Sequence, residues 1–170
     1  MKIFINAGHG GTAPGAVSKK GIKEKDITQK VSSILACQLI QKGFNVEFFQ
    51  QSKSLTEVSQ AENTSNSDLF ISIHCNSFTN ETANGVEVLY YPTSTKGKKY
   101  AQLVQKELVN ITKLNDRGIK PRTDLHVLKR TKSVAILVEL AFLSNPKEEK
   151  LLIENPEMFA NAIVSGIEKM

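Results

Sequence analysis

The stretch VAILVEL, residues 134–140, decides the fold: six of its seven residues are apolar and they do not alternate with polar ones. Such a near-continuous run belongs to a strand covered on both faces, as in a parallel sheet flanked by helices. Outward from it, KIFINA (2–7), FNVEFF (44–49), LFISIH (69–74), GVEVLYY (85–91) and LHVLK (125–129) read as further strands. Helical spacing recurs between them. Ile27, Val31, Ile34, Leu35 and Leu39 share a face of a helix that begins at Asp26, where Gln29 three residues on resembles a capping box, and that stops at Lys42-Gly43. Further helices are expected over 55–65, over 98–110 with Ala101, Val104 and Leu108 on one face, and from Pro156 with Phe159, Ile163 and Ile167. The pattern predicts an α/β fold, a three-layer α/β/α domain whose central sheet is largely parallel, mixed, and of about six strands. An active site in such a sheet lies beyond the carboxyl ends of its strands.

A length of 170 residues with 40% hydrophobic content supports one sizeable core, so residues 1–170 are read as a single domain. The charge balance is 22 − 17 = +5, which suits an anionic partner without naming one. Two cysteines give no disulfide framework, and no apolar run is long enough to span a bilayer. Met1 to Gly8 lacks the shape of a secretory signal, so synthesis in the cytoplasm is expected.

Several polar residues interrupt the pattern where strands end. His9 follows the first strand within GHGG (8–11), and His74 closes LFISIH, so two of three histidines fall at one sheet edge. Glu24 ends the glycine-rich loop and can reach back toward His9, although by itself it reads as a solvated charge among Lys19, Lys20, Lys23 and Lys25. Glu139 is embedded in the apolar run, where an unpaired carboxylate is costly and calls for a metal, a partner or a raised pKa. Two imidazoles and a carboxylate are a ligand set for a catalytic zinc with an open fourth position. His9, Glu24 and His74 supply that set, and Glu139 remains as a general base able to relay a proton in amide hydrolysis.

Other readings carry less. His126 in LHVLK is a surface or half-buried histidine, or a substrate or oxyanion contact if its strand runs beside that of Glu139. Cys75 points away from His74 on a strand, which disfavours a cysteine hydrolase, and both Cys75 and Cys37 read as packing residues. GHGG is not a nucleotide fingerprint and no GK[ST] occurs. The lysines around 96–99 and 129–132 have no aromatic series among them, so nucleic acid is not an expected partner.

INAGHGG (5–11), GIKEKD (21–26), DLFISIHCNS (68–77), GVEVLYY (85–91) and VAILVELAFLSNPKEE (134–149) together resemble, in order and spacing, the zinc-dependent N-acetylmuramoyl-L-alanine amidases of the amidase 3 type. The resemblance implies one catalytic Zn2+ on His9, Glu24 and His74, Glu139 as catalytic carboxylate, and peptidoglycan as substrate, cut between N-acetylmuramic acid and L-alanine. It implies wall lysis; the sequence shows neither a coiled-coil repeat nor an edge device, so a monomer without membrane insertion is expected, and its basic balance suits anionic wall polymers as further contacts. Two departures stand out in 55–68: Val58 where the family often has arginine, and Glu62-Asn63 where it has Ala-Asn. A phage lysin freed on host lysis and a sporulation or autolytic amidase fit equally. A zinc carboxypeptidase with the same ligand set and a non-catalytic wall-binding module are the rival readings.

Overall fold

The computed structural model describes residues 1–51 and 54–170. Its elements in chain order are β1 (Lys2–Ala7), α1 (Glu24–Gln41), β2 (Asn45–Gln50), α2 (Leu55–Ser65), β3 (Leu69–Asn76), β4 (Val86–Tyr90), α3 (Thr95–Thr112), β5 (Asp116–Pro121), α4 (His126–Arg130), β6 (Val134–Phe142), α5 (Pro146–Glu154) and α6 (Pro156–Ile167). The six strands form one sheet in the order β2-β1-β3-β6-β4-β5. Strands β2, β1, β3 and β6 run parallel, β4 runs antiparallel to β6, and β5 is parallel to β4.

Alternation along each strand assigns the two faces. Ile3, Ile5, Leu69, Ile71, Ile73, Ile136 and Val138 face one side and pack against Val31 and Leu35 of α1, Val104 and Leu108 of α3, and Phe159 and Ile163 of α6. Phe4, Phe70, Leu137 and Leu89 face the other, where Val58 of α2 and Val127 and Leu128 of α4 cover them. This second face changes character along the strands. Beyond the apolar patch it carries Asn6, Ser72, His74, Glu139 and Glu87, which stand in the same alternating phase.

Three expectations are corrected. The strand between β4 and β6 in the chain is Asp116–Pro121, a polar edge strand, whereas LHVLK forms the short helix α4. Val127 and Leu128 are both buried in the same cluster, and consecutive strand residues point to opposite faces, so a strand could not place both there. The Asp26–Gln29 capping box does not form, because α1 starts two residues earlier and loop carbonyls take its first N–H groups: Glu24 N donates to Ala16 O (2.8 Å) and Lys25 N to Pro14 O (3.1 Å). Cys37 lies on the exposed side of α1, while Cys75 is buried.

The unusual residues in α2 also find places. Val58 is fully buried against Phe4 and Phe70. Glu62, 1% exposed, accepts from Lys132 N (3.0 Å), Ser133 N (3.2 Å) and the Ser133 hydroxyl, which ties α2 to the start of β6. Among the described residues no helix is long and apolar enough to cross a membrane.

Candidate metal centre

Three elements deliver three side chains to one point. His9 follows β1 in a left-handed conformation (φ 61°), a costly state for a residue other than glycine that turns the ring back over the sheet edge. Glu24 is the first residue of α1 and only 4% exposed, and His74 stands near the carboxyl end of β3. Glu24 Oε2 lies 3.3 Å from His9 Nε2, and Glu24 Oε1 lies 3.0 Å from His74 Nδ1. The two imidazoles meet edge to face with centroids 5.1 Å apart. One donor atom from each residue falls within 4.8 Å of the others.

The Glu24 carboxylate is fixed by the backbone as well, since Ala16 N donates to Oε2 (2.8 Å) and Cys75 N to Oε1 (3.1 Å). Burial alone would raise its pKa, but hydrogen bonds from His74 and His9 hold it well below the usual carboxylate range. For His74 burial works against the charged form, and the Glu24 and Glu139 carboxylates outweigh it, so its pKa is raised.

Glycines make this convergence possible. A Cβ on Gly8 would run into the His74 ring, and one on Gly15 would stand 2.5 Å from Glu24 Oε2 and 2.7 Å from His9 Cδ2. Gly8 is further fixed by Thr28, whose hydroxyl donates to its carbonyl (2.6 Å) from inside α1. The donor types and the cleared space fit a small divalent cation such as zinc, whose ligands are nitrogen and oxygen atoms at about 2 Å.

Glu139 stands directly beside His74, because the two are register partners on β3 and β6. Its Oε2 is covered and has no hydrogen-bond partner among the described residues. Burial, with Glu24 and Glu87 nearby, raises its pKa from 4.5 to about 7 against the opposing pull of His74 and His9. Glu87, its partner on β4, went unnoticed in the sequence. Asn76 donates to Glu87 Oε1 (2.8 Å) and Arg117 to Oε2 (3.0 Å), while the Arg117 guanidinium sits 4.8 Å over the Phe142 ring. The available signal was the one that marked Glu139: a carboxylate within an apolar strand, here GVEVLYY. His126 Nε2 lies 3.1 Å from Ser59 Oγ at the contact of α4 with α2.

A family model for N-acetylmuramoyl-L-alanine amidase matches residues 3–169. The chain belongs to this amidase family. It is 33% identical to the Bacillus subtilis protein YqiI over 98% of its own length and 82% of that protein. It is 32% identical to the N-acetylmuramoyl-L-alanine amidase CwlM of Bacillus licheniformis, again over 98% of its length but spanning only 65% of that relative. The crystal structure of an N-acetylmuramoyl-L-alanine amidase from Clostridium difficile 630 superposes with a TM-score of 0.91 at 34% identity, covering 99% of this chain and 95% of the other. That amidase structure thus shares nearly the whole of this fold.

Proposed function

We propose that the chain hydrolyses the amide between N-acetylmuramic acid and the L-alanine of the peptide stem in peptidoglycan, with zinc held by His9, Glu24 and His74. The observation that carries this reading is the convergence of those three donors beside a buried carboxylate oxygen of Glu139 on the adjoining strand that has no partner among the described residues. Family membership supplies the substrate class.

Bound zinc would polarise the scissile carbonyl and acidify water. Glu139 Oε2 takes a proton from the attacking water and returns it to the departing alanine nitrogen, a relay suited to a carboxylate whose pKa lies near 7. Asn76 and Arg117 occupy both oxygens of the neighbouring Glu87, which leaves Glu139 as the carboxylate free to exchange a proton. The backbone donors from Ala16 and Cys75 keep Glu24 aimed at the two imidazoles. A carboxypeptidase needs a cation free for a terminal carboxylate, and two arginines are already paired: Arg117 with Glu87 and Arg122 with Asp124. The place of action is the bacterial wall, where the substrate lies.

Digestion of purified peptidoglycan tests the reading. New L-alanine amino termini should appear without new reducing sugars, vanish with chelator and return with zinc. Reducing ends without alanine termini would overturn it.

A further inference from the structure

Resting on that reading of the site, we propose that a groove beside the metal centre is a saccharide subsite that binds the glycan strand next to the cleaved muramoyl unit. The groove encloses about 470 Å³ between Val17, Ser18 and Lys19 on one wall and Ser77, Phe78, Thr79, Glu81 and Ser144 on the other. Each wall is continuous in the chain with a metal-centre residue. Val17 pairs with Lys23, the residue immediately before Glu24, and Ser77-Phe78 follows the end of β3 at Asn76, shortly after His74. The groove is therefore walled by the same loop and the same strand end that carry Glu24 and His74.

The lining selects a neutral, hydroxylated ligand. Phe78 is 60% exposed and Val17 51%, a free aromatic ring and an aliphatic edge of the kind that pack against the C–H face of a pyranose. The Ser77 and Thr79 hydroxyls make no hydrogen bond within the described residues. Ser144 Oγ accepts from Phe78 N (3.0 Å), which fixes it at the rim with its own proton free to donate. The two charges in the lining, Lys19 and Glu81, neutralise each other at 2.5 Å. Lys20 pairs with the buried Glu149 at 2.8 Å and so anchors the same loop to α5. A stem peptide with free carboxylates meets no unpaired cation in this lining, whereas a sugar's hydroxyl and acetamido groups find donors, acceptors and a ring.

The test uses binding, so it does not depend on cleavage. A peptide-free tetrasaccharide of alternating N-acetylglucosamine and N-acetylmuramic acid is titrated into the isotope-labelled full chain, and amide and Phe78 ring shifts are followed by NMR. Shifts should cluster on 17–19, 77–79 and Ser144, and Phe78→Ala should weaken affinity about tenfold, the loss expected for one aromatic contact. The exposed position of Phe78 leaves the core intact, and unchanged shifts elsewhere in the variant's spectrum verify this. A tetrasaccharide that leaves the groove unperturbed, or that binds Phe78→Ala as tightly, overturns the subsite. So does a response to free stem peptide in place of the sugar. An enzyme that binds the glycan here yet cuts no muramoyl amide would instead retire the proposed reaction while the subsite stands.

Discussion

Glu139 answers to two demands that pull in opposite directions. On the proposed reading its carboxylate exchanges a proton, yet its Oε2 is covered and has no hydrogen-bond partner among the described residues, and Glu87 stands next to it across the β4–β6 ladder. A folded-state pKa raised from 4.5 to about 7 means that its contribution to stability is fully present below pH 4.5 and is lost as the pH rises through 7. Glu139→Gln therefore has two expected effects. Turnover of peptidoglycan falls by about a hundred- to ten-thousand-fold, the usual worth of a general base. In chelator the variant melts above the parent chain at pH 8, and the gap closes as the pH drops below 4.5. Paired thermal melts across that range check the sign; a gap that widens toward acid would refute the buried-charge account. Gly15 is the second sensitive residue, because at φ 70° a side chain is strained and its Cβ would press on both Glu24 and His9. Gly15→Ala should weaken zinc binding in a metal titration far more than it lowers the apo melting temperature. Glu139 was readable in the sequence because a charge inside VAILVEL has no innocent explanation. Gly15 was not, since nothing short of the folded loop shows that Glu24 Oε2 and His9 come within contact of it.

At the scale of elements, the sequence was clearest where burial is two-sided. Strands β1, β3 and β6 lie in the middle of the sheet, and their apolar runs announce them. Strand β5 is an edge strand of sequence DRGIKP, with charges, a glycine and a terminal proline that solvent tolerates, so no period marked it. LHVLK failed for a related reason: five residues with Leu125, Val127 and Leu128 apolar fit one helical turn as well as a strand, and only the Phe70–Leu137 patch beneath α4 selects the helix. The position of His126 followed from that choice, which sends its ring to Ser59. The contact between α3 and α6 depends on a residue without a side chain. A Cβ at Gly166 would lie 2.7 Å from Val104 Cα, a backbone atom that cannot step aside alone. Gly166→Ala should cost about 1–3 kcal/mol by overpacking, a fall of roughly 2–10 °C in melting temperature. The same variant should keep its zinc affinity, because the contact lies on the sheet face opposite His74 and Glu139. Calorimetry with a zinc titration reads both, and unchanged stability would show that the helices separate without cost.

Over the whole molecule, the metal centre joins a loop after β1, the start of α1 into which that loop runs, and the end of β3, where His74 lies 50 residues beyond Glu24. Its loss ought to loosen that corner and spare the rest. The sheet and its two helical layers bury Ile3, Phe4, Phe70, Ile71, Ile136 and Phe159 completely, and none of these is a residue of the metal centre. Glu24 also keeps its backbone donors from Ala16 and Cys75, so the corner stays ordered enough to rebind. Chelation should thus leave the far-UV circular dichroism unchanged and abolish turnover. It should also lower the melting temperature in proportion to the lost binding energy: at free zinc about a thousand times the dissociation constant that energy is about 4 kcal/mol, equivalent to roughly 10 °C for a chain of this size. Restoring zinc should return both properties along one titration curve. Collapse of the helical signal in chelator would mean that the metal holds the fold, and a melting temperature indifferent to zinc would mean that His9, Glu24 and His74 do not bind it.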